Sequence, residues 1–185
     1  FGKRFSYATV FGATPQTVWE TLRSAEDDDG RLIYPEIKLK EARETRKTWL
    51  GANPEIERWW ATTVQRFREQ RYLTEPVAGW RRDFLDGEDF NELVNFVPQS
   101  SGAALVHRAT LRLVDGPVAE LPFQRWGPGT GLIQQGHDAL VFEVPEAHAE
   151  RLCGVVTEAM TQTVAGHPVP YTAEAVIYRN WKEKR

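Results

Sequence analysis

The chain has 185 residues, of which 41% are hydrophobic and 26% charged, so it is long enough for one domain with a sizeable core. Its formal net charge of -3 gives no overall basic signal for a nucleic-acid partner. A single cysteine excludes an internal disulfide and a zinc site built on several cysteines. No run of 18 or more apolar residues occurs, so we expect no membrane partner.

Charge is distributed unevenly along the sequence. Residues 1–82 contain 15 Lys and Arg against 12 Asp and Glu, whereas residues 83–185 contain 8 against 14. This asymmetry suits a chain that presents a basic surface to an anion in one part and binds cations in another, and it is also common by chance.

The N-terminal part is predicted to be mostly helical. Residues 3–12 have a helical pattern that starts without a capping residue or an initiator methionine, so we expect the chain to be a piece of a longer protein. Thr14 and Pro15 are typical of a helix start, and this second helix should end near Ser24. The acidic segment 25–31 is interpreted as a solvated loop rather than a metal site, because consecutive aspartates point in different directions.

Two more helices are expected next. Residues 34–51 predict a largely exposed helix that ends at Gly51, since glycine often follows the last turn of a helix. Asn53 as cap and Pro54 at the first position begin the most regular helix of the sequence, which runs to residue 70. Its tryptophans are interpreted as core residues rather than base-stacking ones.

The middle and the end of the chain mix the two kinds of structure. Residues 71–84 predict a short extended pair around a turn, and residues 95–114 predict a helix. Two β-rich runs within 129–144 predict a hairpin, an amphipathic helix is expected at 145–164, and a strand at 170–178. The order of helices, hairpin, helix and strand indicates an α+β fold.

The hairpin places His137 and Asp138 in its turn. A carboxylate in a tight turn between two strands is held rigidly at the edge of a sheet. One carboxylate does not hold a catalytic divalent ion, because Mg²⁺ usually takes one or two carboxylates together with phosphate oxygens and water. Taken alone, a His-Asp pair in a turn is more often turn-forming than functional.

Several segments, in order and at sensible spacing, resemble the motifs of family A DNA polymerases, the group of bacterial DNA polymerase I and its bacteriophage relatives. Residues 135–145, QGHDALVFEVP, resemble motif C, and residues 3–12, KRFSYATVFG, resemble motif B of the fingers helix. Residues 53–82 are similar to the family's connecting fingers region, which ends in a Gly-Arg-Arg turn. Asn95 to Gln99 is similar to the family's Asn-x-Pro-x-Gln segment. Residues 169–181 are similar to its closing strand, which ends in Asn180-Trp181.

The resemblance implies a partial right-hand polymerase fold. A helical fingers subdomain is expected at 1–94 and the C-terminal palm at 95–185, where an antiparallel sheet carries the motif C hairpin, a helix and a closing strand. The implied activity is template-directed transfer of dNTPs to a primer 3'-hydroxyl by a two-metal mechanism, with two Mg²⁺ ions or Mn²⁺ in their place. This is the activity of a DNA-directed DNA polymerase.

The resemblance also implies partners and a setting. The expected partners are primer-template DNA, dNTPs and an N-terminal polymerase portion, in the same or a separate chain, that contributes the thumb and the motif A aspartate. Without that portion the chain should be inactive. The expected location is the cytoplasm of a bacterial or phage-infected cell.

The same resemblance implies roles for the matched residues. Asp138 would be one of two palm carboxylates that hold the metal ions, and His137 would approach the terminal backbone of the primer. Lys3 would reach the incoming triphosphate. Nucleotide binding would also involve Tyr7, Phe11 and Gly12, and DNA binding would involve Asn95, Gln99, Gln135, His137, Arg81 and Arg82.

For some of these residues the expected contact can be described. Tyr7 would face the sugar, and tyrosine there is associated in the family with tolerance of dideoxynucleotides, so we expect that tolerance. The amides of Asn95, Gln99 and Gln135 would donate to minor-groove acceptors, which are similar in all base pairs, and would therefore sense shape without reading sequence. Arg81 and Arg82 would contact phosphates, although a solvated turn explains them equally well.

The sequence departs from the family pattern at three positions. Ala139 follows Asp138 where glutamate is common, which puts metal affinity and fidelity in doubt. Asn91 stands where an arginine is frequent, which weakens one expected DNA contact. Phe11 replaces the usual tyrosine, so stacking on the templating base is kept and the hydroxyl's hydrogen bonds are lost.

Two alternatives stay open. A single-subunit RNA polymerase shares the His-Asp turn, but the bulky Tyr7 under the sugar and the Asn180-Trp181 ending favour a DNA polymerase. A catalytically inactive DNA-binding or accessory protein of the same fold is the other alternative. It has no need of Asp138 or Lys3, and their presence speaks against it.

Overall fold

The structure, a computed structural model, describes residues 2–27, 29–85, 87, 89–115, 131–164, 166–180 and 183. The helices are α1 (Gly2–Val10), α2 (Pro15–Arg23), α3 (Leu39–Ala52), α4 (Pro54–Gln70), α5 (Phe90–Asp115) and α6 (Ala149–Met160). The strands are β1 (Tyr72–Thr74), β2 (Arg81–Asp83), β3 (Gly131–Gln135), β4 (Leu140–Glu143), β5 (Gln162–Val164) and β6 (His167–Tyr171), and a 3-10 turn at Glu146–His148 precedes α6. None of the helices described is long and apolar enough to cross a membrane.

The chain divides into two compact units. The first unit comprises Phe1–Thr74 and Arg81–Pro98, and the second comprises Glu75–Trp80 and Gln99–Arg185. The strands pair as three two-stranded antiparallel sheets, β1 with β2, β3 with β4, and β5 with β6. The mixture of helices and small antiparallel sheets confirms the predicted α+β class.

The first unit packs its helices on buried apolar side chains. Thr14 caps α2 as expected, because its hydroxyl accepts a hydrogen bond from the Thr17 amide at 3.2 Å and Pro15 occupies the first turn. Trp60 is buried, which confirms the core interpretation for this tryptophan. The buried clusters are Phe5, Val18, Leu22 and Ala42; Leu50, Trp60 and Val94; and Phe67, Leu73, Phe84 and Leu93.

The second unit is built on the C-terminal part of α5, the β3–β4 hairpin and α6. Leu113, Leu152 and Val156 form its buried cluster, against which Leu140 and Phe142 of β4 pack. Because residues of a strand alternate between faces, Leu140 and Phe142 share one face and anchor the hairpin through it. This packing fixes the turn between β3 and β4.

Two expected boundaries and one expected helix cap are wrong. The third helix begins at Leu39 rather than near residue 34, and it continues through Gly51, which therefore does not end it. Asn53 precedes α4 as expected, but its side chain does not cap that helix and donates instead to the Trp49 carbonyl at 2.7 Å.

The end of the chain also differs from expectation. The helix expected to reach residue 164 stops at Met160, and β5 follows, because the buried Gln162 side chain bonds to the Leu105 carbonyl of α5 at 2.8 Å. The strand expected at 170–178 lies at 167–171, where Tyr171 is the last residue with a partner on β5. Residues 172–180 form no strand.

Candidate functional site

The turn between β3 and β4 presents His137 and Asp138 to solvent. The Gly136 amide donates to the Ala139 carbonyl at 2.7 Å, which closes a tight turn with His137 and Asp138 at its tip. Both side chains are exposed, and Gln135 is exposed at the end of β3, opposite Leu140. The predicted hairpin is confirmed, and the turn displays a carboxylate and an imidazole at the edge of a two-stranded sheet.

The described residues offer only part of a metal site. No group of three or more His, Cys, Asp or Glu side chains that could hold an ion occurs in the ranges that the structure describes. Asp138 nevertheless fits one position of a shared site, because it is exposed on a turn closed by a backbone hydrogen bond and hard cations prefer carboxylate oxygens. A second carboxylate from outside these residues would be needed to complete it.

Helix α1 exposes one face and buries the other. Lys3 and Tyr7 are exposed, Phe11 is partly buried just past the helix, and the rings of Tyr7 and Phe11 lie with centroids 6.0 Å apart. Phe5 and Thr9 are buried. Lys3 and Tyr7 therefore share the solvent side of α1, whereas Phe11 and Gly12 follow the helix and Gly12 is buried.

Two contacts from other helices hold the end of α1. The Trp60 indole donates to the Val10 carbonyl at 2.8 Å, and Arg46 Nε donates to the Ala13 carbonyl at 3.0 Å. Gly12 has a φ of 80°, and a Cβ added there would lie 2.6 Å from Cε1 of Phe90. Only glycine fits this close approach in a left-handed conformation without displacing Phe90.

The amides on α5 have different environments. Asn95 is partly buried, and its side-chain amide donates to the Asn91 carbonyl at 2.7 Å and to the Phe11 carbonyl at 3.4 Å. Gln99 lies four residues further along the same helix and is exposed. Asn95 therefore links the start of α5 to the end of the motif B segment.

Arg81 and Arg82 are both engaged by acids. Arg81 donates through Nε to Asp83 at 3.1 Å and stacks over the Tyr72 ring at 4.0 Å. Arg82 forms an ion pair with Glu92 at 3.0 Å. The hydrogen bond that Arg81 donates to the Asp83 carboxylate raises the pKa of the guanidinium above its usual value. Each of the two arginines thus already has an anionic partner.

One buried carboxylate was missed by the sequence analysis. Glu75 is fully buried and accepts hydrogen bonds from the amides of Val77, Ala78 and Trp80 at 2.7, 2.6 and 3.1 Å. A glutamate directly before a proline and close to a glycine is the signal that could have revealed it, because such turns leave amides without partners. Glu75 thus fixes the turn before Arg81.

Cys153 has the character of an inert thiol. It is partly buried on α6, and burial together with the nearby Glu150 raises the pKa of the thiol above its usual value. A raised pKa keeps the thiol protonated near neutral pH, and the thiolate is the reactive form. Trp181, expected at the end of the closing segment, lies outside the described residues.

The sequence matches the model of a known protein family. The model described as DNA polymerase family A matches residues 1–183. The chain belongs to DNA polymerase family A. This confirms the family expected from the motifs.

Two relatives give the degree of similarity. The chain is 29% identical over 163 residues to a thermostable DNA polymerase I from Thermus filiformis, a match that covers 80% of this chain and 18% of that protein. It is 30% identical over 138 residues to DNA polymerase I from Bacillus caldotenax, covering 69% of this chain and 15% of that one. The match thus spans less than a fifth of each of these relatives.

A solved structure shows the same fold. The POL domain of Pol1 from M. smegmatis, in a complex with DNA primer-template and dNTP, superposes with a TM-score of 0.69. The sequence identity is 20%, and the match covers 91% of this chain and 28% of that one. At this identity the likeness concerns the fold of this family A chain.

Proposed function

We propose that this chain is the fingers and C-terminal palm portion of a DNA-directed DNA polymerase that adds dNTPs to a primer 3'-hydroxyl. The observation that carries the proposal is Asp138, an exposed carboxylate at the tip of a rigid hairpin in a chain that matches the family along 183 residues. The subdomain boundary proposed from the motifs lies near residue 94.

Asp138 is proposed as one of the carboxylates that hold divalent metal. Two bound Mg²⁺ or Mn²⁺ ions would neutralise the triphosphate and lower the pKa of the attacking hydroxyl. The hairpin's part is to hold the Asp138 carboxylate in place, since the Gly136–Ala139 backbone bond and the packing of Leu140 and Phe142 fix the turn. His137, beside it, would approach the terminal backbone of the primer.

The exposed face of α1 is proposed to bind the incoming nucleotide. Lys3 is an exposed cation near the helix start and would neutralise charge on the triphosphate. Tyr7 would lie against the sugar and Phe11 against the templating base, and Gly12 lets the chain turn directly after them. The helix is a suitable platform because Phe5 and the Trp60 bond to Val10 hold its other side.

The amides and arginines are proposed to bind the primer-template. Gln99 and Gln135 are exposed and can donate to minor-groove acceptors. Asn95 would use its amide in the same way and would exchange its long 3.4 Å bond to Phe11 for the DNA contact. Arg81 and Arg82 would contact phosphates.

The chain is proposed to act as part of a larger polymerase. A second metal-binding carboxylate and the thumb would come from the N-terminal portion, in the same or another chain. Without them the residues described contribute one carboxylate, so the isolated chain should not extend a primer. The proposed location is the cytoplasm of a bacterial or phage-infected cell.

Primer extension tests the proposal. The complete protein that carries this chain is assayed with a primed template, Mg²⁺ and dNTPs, beside its Asp138→Ala variant. We expect extension by the wild type and its loss in Asp138→Ala with template binding retained. Extension with NTPs in place of dNTPs would support the RNA polymerase alternative, and binding without any extension would support the accessory alternative.

A further inference from the structure

The two arginines of β2 are accessible to a ligand while their charge is already matched. The side chains of Arg81 and Asp83 are 56% and 51% exposed, and those of Arg82 and Glu92 are 47% and 56% exposed. A phosphate could therefore reach either guanidinium without any change in the core. It would meet an arginine that is bound to a carboxylate.

The two ion pairs lie on opposite faces of the hairpin. Arg81 and Asp83 share one face because they are two residues apart on β2, and the Tyr72 ring lies beneath the Arg81 guanidinium. Arg82 points to the other face, over the Phe84 ring at 4.7 Å and towards Glu92. Each arginine thus has its own aromatic support and its own acid.

The local structure around the two acids, Asp83 and Glu92, does not otherwise require their ion pairs. Asp83 lies at the end of β2, and within the part of the chain that the structure describes its side chain hydrogen-bonds to Arg81 alone. Glu92 lies in the first turn of α5, where the helix dipole stabilises its negative charge without requiring Arg82. Exposed ion pairs of this kind contribute little to folding stability, so a role in stability does not explain two of them on adjacent residues.

We propose that two carboxylates compete with DNA phosphate for the arginines of β2, Asp83 for Arg81 and Glu92 for Arg82. This competition weakens the binding of the β1–β2 hairpin to DNA. The inference rests on the proposed function, since it takes DNA as the ligand of the two arginines. A phosphate that binds Arg82 displaces the Glu92 carboxylate, which then lies close to an anionic backbone. The same holds for Asp83 when Arg81 is bound.

This competition would help an enzyme that moves along DNA to release its contacts. Such an enzyme must break its backbone contacts at every step. A carboxylate that is ready to rebind the arginine stabilises the released state and lowers the free energy needed to break the contact. Asp83 and Glu92 would therefore favour movement over tight binding.

The salt dependence of binding should report this competition. A phosphate contact made by a free arginine releases about one counterion from DNA, which sets the slope of the binding constant against salt. When the arginine leaves a carboxylate behind, that carboxylate takes up cations and reduces the net release. Removing the acid should therefore make the slope steeper, by up to about one unit for each arginine.

The test is equilibrium binding of the complete protein to a fluorescently labelled primed DNA over a series of salt concentrations. The variants are Asp83→Asn and Glu92→Gln, with Glu57→Gln as a matched control. Glu57 is also an exposed acid in the first turn of a helix, and its substitution changes the net charge equally. We expect Asp83→Asn and Glu92→Gln each to bind the DNA about two- to five-fold more tightly than wild type at low salt. The slope of the binding constant against salt should also be steeper than in the wild type.

The second part of the test repeats the acid substitutions in variants that lack the partner arginine. In an Arg82→Ala background Glu92→Gln should give no gain beyond that of Glu57→Gln, and the same should hold for Asp83→Asn with Arg81→Ala. Equal effects of all three acid substitutions, or gains that persist without the arginines, would overturn the inference while leaving primer extension intact. If the wild-type protein neither binds nor extends primed DNA, the proposed function fails and the inference falls with it.

Discussion

Trp60 of α4 and Val10 of α1 are joined by a hydrogen bond across 50 residues of sequence, from the indole nitrogen to the carbonyl oxygen at 2.8 Å. This bond satisfies one of the carbonyls that the end of a helix leaves without an intrahelical partner. It ties α1, the helix proposed to bind the nucleotide, to α4.

Trp60→Phe should therefore destabilise the first unit and loosen the end of α1. We expect a loss of about 1–3 kcal/mol in the free energy of unfolding, because the substitution leaves the Val10 carbonyl without its partner. Urea unfolding monitored by circular dichroism measures it. Trp59→Phe is the control, since Trp59 is only partly buried and its indole makes no hydrogen bond to any residue in the described ranges; equal losses in the two variants would contradict the role of the bond.

Gly12→Ala should be strongly destabilising. The added Cβ would lie 2.6 Å from a ring carbon of Phe90, in a residue whose φ of 80° is already unfavourable for alanine. We expect a loss of about 1–3 kcal/mol. Gly51→Ala is the matched control, because Gly51 lies inside α3 with open space around it, and there alanine should stabilise by up to about 1 kcal/mol. Thermal unfolding of the two variants should shift in opposite directions.

Glu75→Gln should weaken the turn between β1 and β2. Both carboxylate oxygens accept from backbone amides, so an amide group in their place sets one donor against another. We expect a cost of about 1–3 kcal/mol, measured by chemical unfolding. Glu55→Gln, at an exposed position of α4, should change stability by far less; a similar cost at both positions would show that the three amide contacts contribute nothing.

Cys153 should react slowly with alkylating reagents at neutral pH. Because burial and Glu150 both disfavour the thiolate, the midpoint of the rate against pH should lie above that of an unperturbed cysteine, which is about 8.5. Glu150→Gln removes one negative charge and should move the midpoint down without abolishing the effect of burial. The single cysteine of the chain makes the rate simple to assign, and a midpoint below that of free cysteine would be incompatible with this environment.

Local signals predicted the elements whose causes are local. Thr14 and Pro15 define the start of α2 because a cap and a proline act within one turn. The hairpin around His137 and Asp138 followed from two β-rich runs with a short gap. Gln162 shows the opposite case: its segment continues a helical pattern, but its amide binds a carbonyl 57 residues away and the chain extends instead.

In the candidate site, too, some residues could be predicted from local sequence and others could not. Lys3, Tyr7 and Asp138 were found from motifs, and the structure places all three at the surface. Glu92 could not be found as the partner of Arg82, because the two are ten residues apart with a strand end and a helix start between them. Such pairings depend on tertiary geometry, which spacing along the sequence does not contain.

The turn at the end of β3 is closed by backbone atoms alone, from the Gly136 amide to the Ala139 carbonyl, and neither His137 nor Asp138 has a positive φ. Its shape therefore does not depend on which side chains occupy these two positions. An acid at the tip can be exchanged for a neutral group without removing the backbone bond that closes the turn. Asp138→Ala should accordingly keep the fold of the hairpin, so a loss of primer extension in that variant would report on the proposed metal ligand alone.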